Sequence, residues 1–306
     1  MTEEKIDLPH AAAGFADAHA HLCMLEDPVG ALVRCAHAGV DTVITIVYPS
    51  DPEEAASIEE MPAWLERAAA ALGHPPGTAE AHGDYAAGPG TLPLVGLAVG
   101  CHPHEASTWG PQSEGALRAL AGAARVCAIG ETGLDYHYDN SPRQDQRTAF
   151  AEHLALAEEL GLPAIIHLRE AHDEGRRILE EVGVPSAGAV LHCFGEDPAT
   201  AEEFLALGCH ISFSGTVTFK KADNIRESAR VVPAERLLVE TDCPFLAPEP
   251  YRGRKNEPAY VTLVARAVAT ARGEDLEEIA AVTRANTQRL FGLGRTSGAE
   301  RCEDDG

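Results

Sequence analysis

Eight short apolar runs recur along this chain, each separated from the next by Ala/Glu/Leu-rich stretches of helical character. Strands are expected at 15–20, 42–47, 94–100, 126–130, 163–167, 188–192, 209–213 and 236–240. The runs are continuous rather than alternating, as in parallel strands buried on both faces. Strand–helix alternation of this kind builds α/β architecture. It predicts a (β/α)8 TIM barrel, with a doubly wound open sheet as the alternative. The 306 residues suit a barrel with tails and an insertion, since such barrels take ~250 residues. The expected plan is a flexible N-terminus (1–13), one barrel (14–292) and a flexible tail (293–306). An insertion is placed at about 49–92, because Tyr48 to Pro93 is too long for one crossover. It begins with a helix, Pro52–Leu72, carrying acidic residues. It continues as a Gly/Pro/Ala-rich piece, Gly73–Gly90, with too few large apolar residues to pack by itself.

Where the predicted strands end is more informative than the strands themselves. Six of them run into residues that can bind a metal or a substrate: Asp17-Ala18-His19-Ala20-His21, His102-Pro103-His104, Glu131-Thr132-Gly133-Leu134-Asp135, His167-Leu168-Arg169, His192-Cys193-Phe194 and Glu240-Thr241-Asp242. In a parallel barrel all these ends open on one face, the face where such enzymes place their sites. His19 and His21 are two apart on a strand, so both imidazoles point the same way and can reach one metal. Taken alone, two histidines in a turn would be unremarkable. With His167, His192 and Asp242 at three further ends they make a ligand set. Two metals a few Å apart need a shared anionic ligand, and Glu131 is the best-placed carboxylate. Asp242 could cap the following helix, but its place after Leu237-Leu238-Val239 favours a ligand that also accepts a proton from water.

Charge narrows the choice of substrate. The net charge is −24, which repels polyanions at long range and counts against a protein that coats nucleic acid with its whole surface. It leaves room for an enzyme that admits one phosphate-bearing end to a metal site, because bound cations dominate the charge locally. Against the acidic background stand Arg169, Lys220-Lys221 and Arg252 with Arg254-Lys255, all after strand ends. They could hold phosphates; the plainer reading is that Lys220 starts a solvated helix and Arg252 packs its loop. The eight cysteines are scattered singly with no C-x-x-C pair, so they read as reduced, buried thiols. No apolar run approaches the ~20 residues of a membrane span. The polar, acidic Met1–Pro9 does not resemble a signal peptide. The expectation is a cytoplasmic protein with no membrane association and no evident obligate protein partner.

These strand-end motifs, together with Glu240-Thr241-Asp242-Cys243-Pro244-Phe245-Leu246-Ala247-Pro248 and Arg252-Gly253-Arg254-Lys255-Asn256-Glu257-Pro258, resemble the TatD family of metal-dependent deoxyribonucleases from about residue 15 to 292. The resemblance implies an amidohydrolase-like barrel holding two divalent ions. His19, His21 and Asp242 would hold one, His167 and His192 the other, with Glu131 bridging. His102 would sit beside the metals and contact substrate phosphate. The departures are the long segment before Pro93, Gly195-Glu196-Asp197 after the Cys-Phe pair, and the acidity. Mixed His/carboxylate ligands suit Zn, Mn, Co or Fe, whereas Mg prefers more oxygen.

Three functions fit this pattern. The first is phosphodiester hydrolysis at nucleic-acid ends, favoured by the basic residues. The second is hydrolysis of a small phosphorylated or ester substrate (lactone, amide or phosphotriester), favoured by the net charge and by the lack of an aromatic-rich stacking strip. The third is a metal-binding interaction module, which a complete ligand set with a candidate base argues against.

Overall fold

The computed structural model describes residues 8–73, 90–122 and 125–293. Eight parallel strands follow one another around the sheet in chain order: β1 (Phe15–Ala20), β2 (Val40–Val47), β3 (Leu94–Val99), β4 (Val126–Asp135), β5 (Ala164–Arg169), β6 (Ala189–Leu191), β7 (His210–Phe213) and β8 (Leu237–Val239). The seam from β8 back to β1 is joined by backbone bonds beyond the end of β8. Asp242 N–H donates to His19 O and His21 N–H to Cys243 O, both at 2.9 Å. An open doubly wound sheet has no such seam; the protein is a (β/α)8 TIM barrel.

The helices lie outside: α1 (Pro28–Ala38), α2 (Pro52–Ala71), α3 (Pro111–Ala121), α4 (Arg143–Leu160), α5 (His172–Val182), α6 (Pro198–Ala206), α7 (Asp223–Val231), α8 (Val261–Arg272) and α9 (Leu276–Leu290). Their starts follow capping chemistry. Asp27, Asp51, Asp197 and Asp275 each accept a backbone N–H of the first turn, satisfying donors that the helix itself leaves unpaired. Inside the ring of strands, Ala18, Ile44, Ala98, Ala128, Ile165, Val190 and Leu238 pack together, joined by Leu290 and Phe291 from the end of the chain's last helix. A larger apolar layer, including Phe15, Phe150, Phe204 and Phe213, separates strands from helices.

Two elements differ from the sequence reading. β4 runs to Asp135 rather than stopping at Gly130, so Glu131 stands on the strand and not in a turn. The glycines in and beside this stretch permit close approach between strands. Gly133 has φ +144°, and a Cβ there would lie 2.0 Å from His167 O on β5. At Gly100 a Cβ would meet Gly130 Cα at 2.7 Å. The second difference is Pro52–Ala71, expected within the insertion. It is the barrel's own crossover helix α2, with Met61, Leu65 and Ala68 buried in the core. The rest of that expectation, residues 74–89, lies outside the described residues, as do 1–7 and 294–306. Ala12 and Ala13, at the end of the expected N-terminal tail, donate their N–H groups to Glu277 at 2.7 and 2.6 Å. No helix among the described residues is long and apolar enough to cross a membrane.

Candidate metal centre

The mouth of the barrel gathers His19, His21, Glu131, His167, His192 and Asp242. Their ligand atoms fall into overlapping groups, His19–His21–Asp242 and His19–Glu131–His192, with a third of His102–Glu131–His167; within each group the atoms lie within 4.8 Å of one another. Glu131 is the centre. Its Oε1 lies 2.7 Å from both His167 Nδ1 and His192 Nε2 and 3.6 Å from His102 Nε2. Its Oε2 lies 3.5 Å from His19 Nε2 and accepts the Tyr48 hydroxyl at 2.6 Å. Asp242 Oδ1 lies 3.4 Å from His21 Nε2 and 3.8 Å from His19 Nε2. Asp242 holds this position in the left-handed region, at φ +56°, a conformation rare for a non-glycine residue and common at functional sites.

The charges fit a cation-binding role. Burial alone would raise the Glu131 carboxyl, but the facing imidazoles of His192, His102, His167 and His19 outweigh it and hold the group well below its ordinary value. Asp242 is lowered likewise, burial being overcome by His21, His192 and His19. His192 and His167 are raised in spite of burial, by Glu131 with Glu240 and by Asp135 with Glu131 respectively. The carboxylates thus stay ionised beside imidazoles that carry the balancing charge and that would give up their protons to a bound cation. Nitrogen and carboxylate oxygen donors converging on them suit a borderline or hard divalent cation. Burial pushes the adjacent Cys193 thiol up to about 12, so no soft thiolate competes.

His102 differs from the other rings. Burial pushes it down to about 3, so it is neutral. Its Nδ1 accepts the His104 N–H at 3.2 Å, which places the ring's own proton on Nε2, facing Glu131. It is a hydrogen-bond donor aimed into the site.

Behind these groups lie side chains whose role the motifs do not mark. Asp17 accepts Thr241 N–H at 2.8 Å and Thr241 Oγ1–H at 2.5 Å, tying the end of β1 to that of β8. Glu240 accepts Cys193 N–H at 2.6 Å and lies 3.3 Å from His192 Nδ1. Asp135 lies 2.9 Å from His104 Nε2 and 3.4 Å from His167 Nε2. All three stand in the strand-end motifs, two or more residues from a ligand candidate, and spacing was the available signal. Tyr48 follows β2, one of the two strand ends that offered no metal-type residue.

The basic residues are exposed and engaged with aromatic rings. Arg169 Cζ lies 4.7 Å from the Tyr138 ring centroid and Arg252 Cζ 4.2 Å from that of Phe219. Lys220 and Lys221 are exposed just before α7. None of these contacts the ligand cluster.

A closed parallel barrel with imidazoles and buried carboxylates gathered at the carboxyl ends of its strands defines the class of barrel metallohydrolases. The family model described as TatD related DNase matches residues 16–292, and the chain belongs to that family of metal-dependent hydrolases. It is 43% identical over 198 residues to the "Uncharacterized metal-dependent hydrolase YabD" of Bacillus subtilis strain 168, covering 65% of this chain and 78% of that one. It is 43% identical over 199 residues to the "3'-5' ssDNA/RNA exonuclease TatD" of Cronobacter sakazakii, covering 63% and 75%. Among solved structures, YjjV, a TatD homolog from Escherichia coli K12, superposes with a TM-score of 0.74 at 29% identity, covering 92% of this chain and 98% of that one.

Proposed function

We propose that this barrel hydrolyses phosphodiester bonds at the ends of single-stranded DNA or RNA, using two divalent cations of the Zn, Mn, Mg, Co or Fe set. The observation that carries the reading is the division of Glu131: one oxygen faces His19, the other His167 and His192. A carboxylate so placed would help hold cations on both of its sides. His19, His21 and Asp242 would complete one group, His167 and His192 the other. The nucleic-acid part rests on the likeness to the Cronobacter exonuclease and on the cationic side chains near the mouth.

Bound divalent cations supply Lewis acidity there, polarising the phosphoryl oxygen and acidifying water. The chain's own residues do the rest. Asp242, ionised and 13% exposed at its side chain, accepts the proton of the attacking water. His102 donates from Nε2 to a non-bridging phosphate oxygen. Tyr48 and Glu240 keep Glu131 and His192 from rotating out of position. Arg169, Lys220 and Arg252 stand where an approaching phosphate backbone would meet them. The net charge then admits ends rather than long duplexes.

The test is protein reconstituted with Mn²⁺, Mg²⁺ or Zn²⁺ and offered end-labelled single-stranded DNA, RNA, a lactone panel and a phosphotriester. A ladder of shortened oligonucleotides is expected. Turnover confined to the lactones or the phosphotriester would overturn the nuclease reading while leaving a metallohydrolase.

A further inference from the structure

We propose that Tyr138 and Phe245 are the two base-stacking platforms of this site, one at each end of the reactive centre, and that they restrict it to unpaired nucleotides. The proposal rests on the nuclease reading above and names what that reading leaves open, namely how a base is held.

Tyr138 and Phe245 are 55% and 51% exposed, the most exposed large hydrophobic side chains among the described residues. Both stand at the mouth, and each is placed by a turn bond from its N–H to an acidic residue, in one case to the side chain and in the other to the backbone. Tyr138 N–H donates to Oδ1 of Asp135, three residues before it, at 2.9 Å. Phe245 N–H donates to the carbonyl of Asp242, also three residues before it, at 2.9 Å. Each ring is thus carried by the turn that follows an acidic residue of the site. The Phe245 backbone is fixed further: its carbonyl accepts from the buried Asn256 side chain at 2.6 Å. An exposed aromatic ring on a rigid turn loses little freedom when a flat partner settles on it.

The rings mark the two ends of a continuous row. Phe245 lies 5.9 Å from His21, His21 5.9 Å from Tyr48 and Tyr48 5.6 Å from His102. His102 lies 4.3 Å from His104, and His104 5.5 Å from Tyr138, all between centroids. The interior members are buried or half-buried, and the two ends are the exposed ones. The sequence shows no aromatic strip because its members come from the segments that follow β1, β2, β3, β4 and β8. Arg169 over Tyr138 adds a cation beside one platform, suited to the phosphate that follows a stacked base. A paired base inside a duplex has both faces covered and cannot use such platforms, whereas each unpaired base has a free face.

The test uses full-length, metal-loaded protein. Wild type, Tyr138→Ala, Phe245→Ala and the ring-preserving Tyr138→Phe and Phe245→Tyr are assayed on a single-stranded oligonucleotide. The same strand lacking the bases that flank the scissile bond is the companion substrate. In wild type KM should be lower for the base-bearing strand. Each alanine variant should shrink that advantage roughly five- to a hundredfold, and the ring-preserving variants should restore it. Alanine variants that shift both substrates equally, or neither, overturn the platforms while leaving the nuclease reading intact. A wild type that cleaves neither strand overturns that reading and the platforms with it.

Discussion

The two sides of Glu131 are built differently. On one side, His19, His21 and Asp242 have side chains only 0%, 4% and 13% exposed and stand on the seam where backbone bonds join β1 to β8. On the other, His192 is only 4% exposed but His102 and His167 are 14% and 17% exposed, and side chains brace them: Asp135 beside His104 and His167, Glu240 beside His192, and the buried His153 beneath Cys101. The first side takes much of its geometry from main-chain bonds, reinforced by the Asp17–Thr241 pair. The second takes it from carboxylates and imidazoles that a single substitution deletes. A change on the first side should therefore alter chemistry at constant architecture, and one on the second should loosen the architecture itself.

Asp242→Asn tests the first half of that contrast and carries the largest expected effect. The amide keeps an oxygen for coordination but is a poor proton acceptor. Its backbone links to His19 and Phe245 are untouched. The expected result is a fall in kcat of about 10²- to 10⁴-fold with unchanged metal content and melting temperature. A variant retaining most of its kcat would show that a group other than Asp242 accepts the proton; His102, whose Nε2 already carries one, is not that group.

Asp135→Asn and Glu240→Gln probe the supports. Each removes an anion that faces a ring nitrogen of His167 or His192. Loss of such a partner lowers metal affinity or activity by about 10- to 100-fold. Stepwise metal titration should show the weaker of two binding events affected and the tighter one spared. Equal weakening of both would erase the distinction between the sides.

Acid should also loosen the second side, through His153. Burial pushes this imidazole down to about 4; its Nε2 accepts the Cys101 N–H at 3.1 Å and its Nδ1 donates to Ala149 O at 2.7 Å. A folded pKa below the unfolded value means the folded state favours the neutral ring. Its contribution is complete above about pH 6.5 and is lost as pH falls toward 4, amounting to at most about 3 kcal/mol. Urea unfolding from pH 7 to 4.5 should show this slope, and His153→Gln should flatten it. An unchanged slope would place the acid sensitivity elsewhere.

How much of this was legible in the sequence follows from the same contrast. The eight strands and the six ligand candidates could be read because a buried parallel strand needs a continuous apolar run, and each candidate interrupts one at its end. The true extent of β4 could not, since Gly130 to Gly133 have the composition of a turn and become a strand only through close approach to β5. Nor could the place of Tyr48, whose hydroxyl reaches a carboxylate 83 positions away. Helix α2 was visible as a helix but not as part of the barrel: the long segment around it hid the fact that Met61, Leu65 and Ala68 form its core-facing stripe.

That last point revises what the acidic residues of α2 can do, and it sets the smallest expected effect. As an insertion over the mouth, Asp51, Glu53, Glu54, Glu59 and Glu60 would together repel long strands. As a crossover helix they divide. Asp51 caps the helix by accepting Glu53 N–H at 2.8 Å. Glu54 is buried and accepts Tyr48 N–H at 2.8 Å, bracing the residue that holds Glu131. Glu59 and Glu60 are exposed but lie further along a helix that advances ~1.5 Å per residue. Glu53 and the capping Asp51 are the two that are both exposed and at the mouth end. Neutralising Glu53, Glu59 and Glu60 to glutamine should raise kcat/KM on long single strands relative to short ones by only about twofold at low salt. The gain should vanish near 1 M salt, where the screening length is ~3 Å. Glu54→Gln should instead lower kcat on both lengths alike, because its effect passes through Tyr48 to Glu131. A length-dependent gain from Glu54→Gln, or a triple-variant gain that survives high salt, would return α2 to the role of a substrate gate.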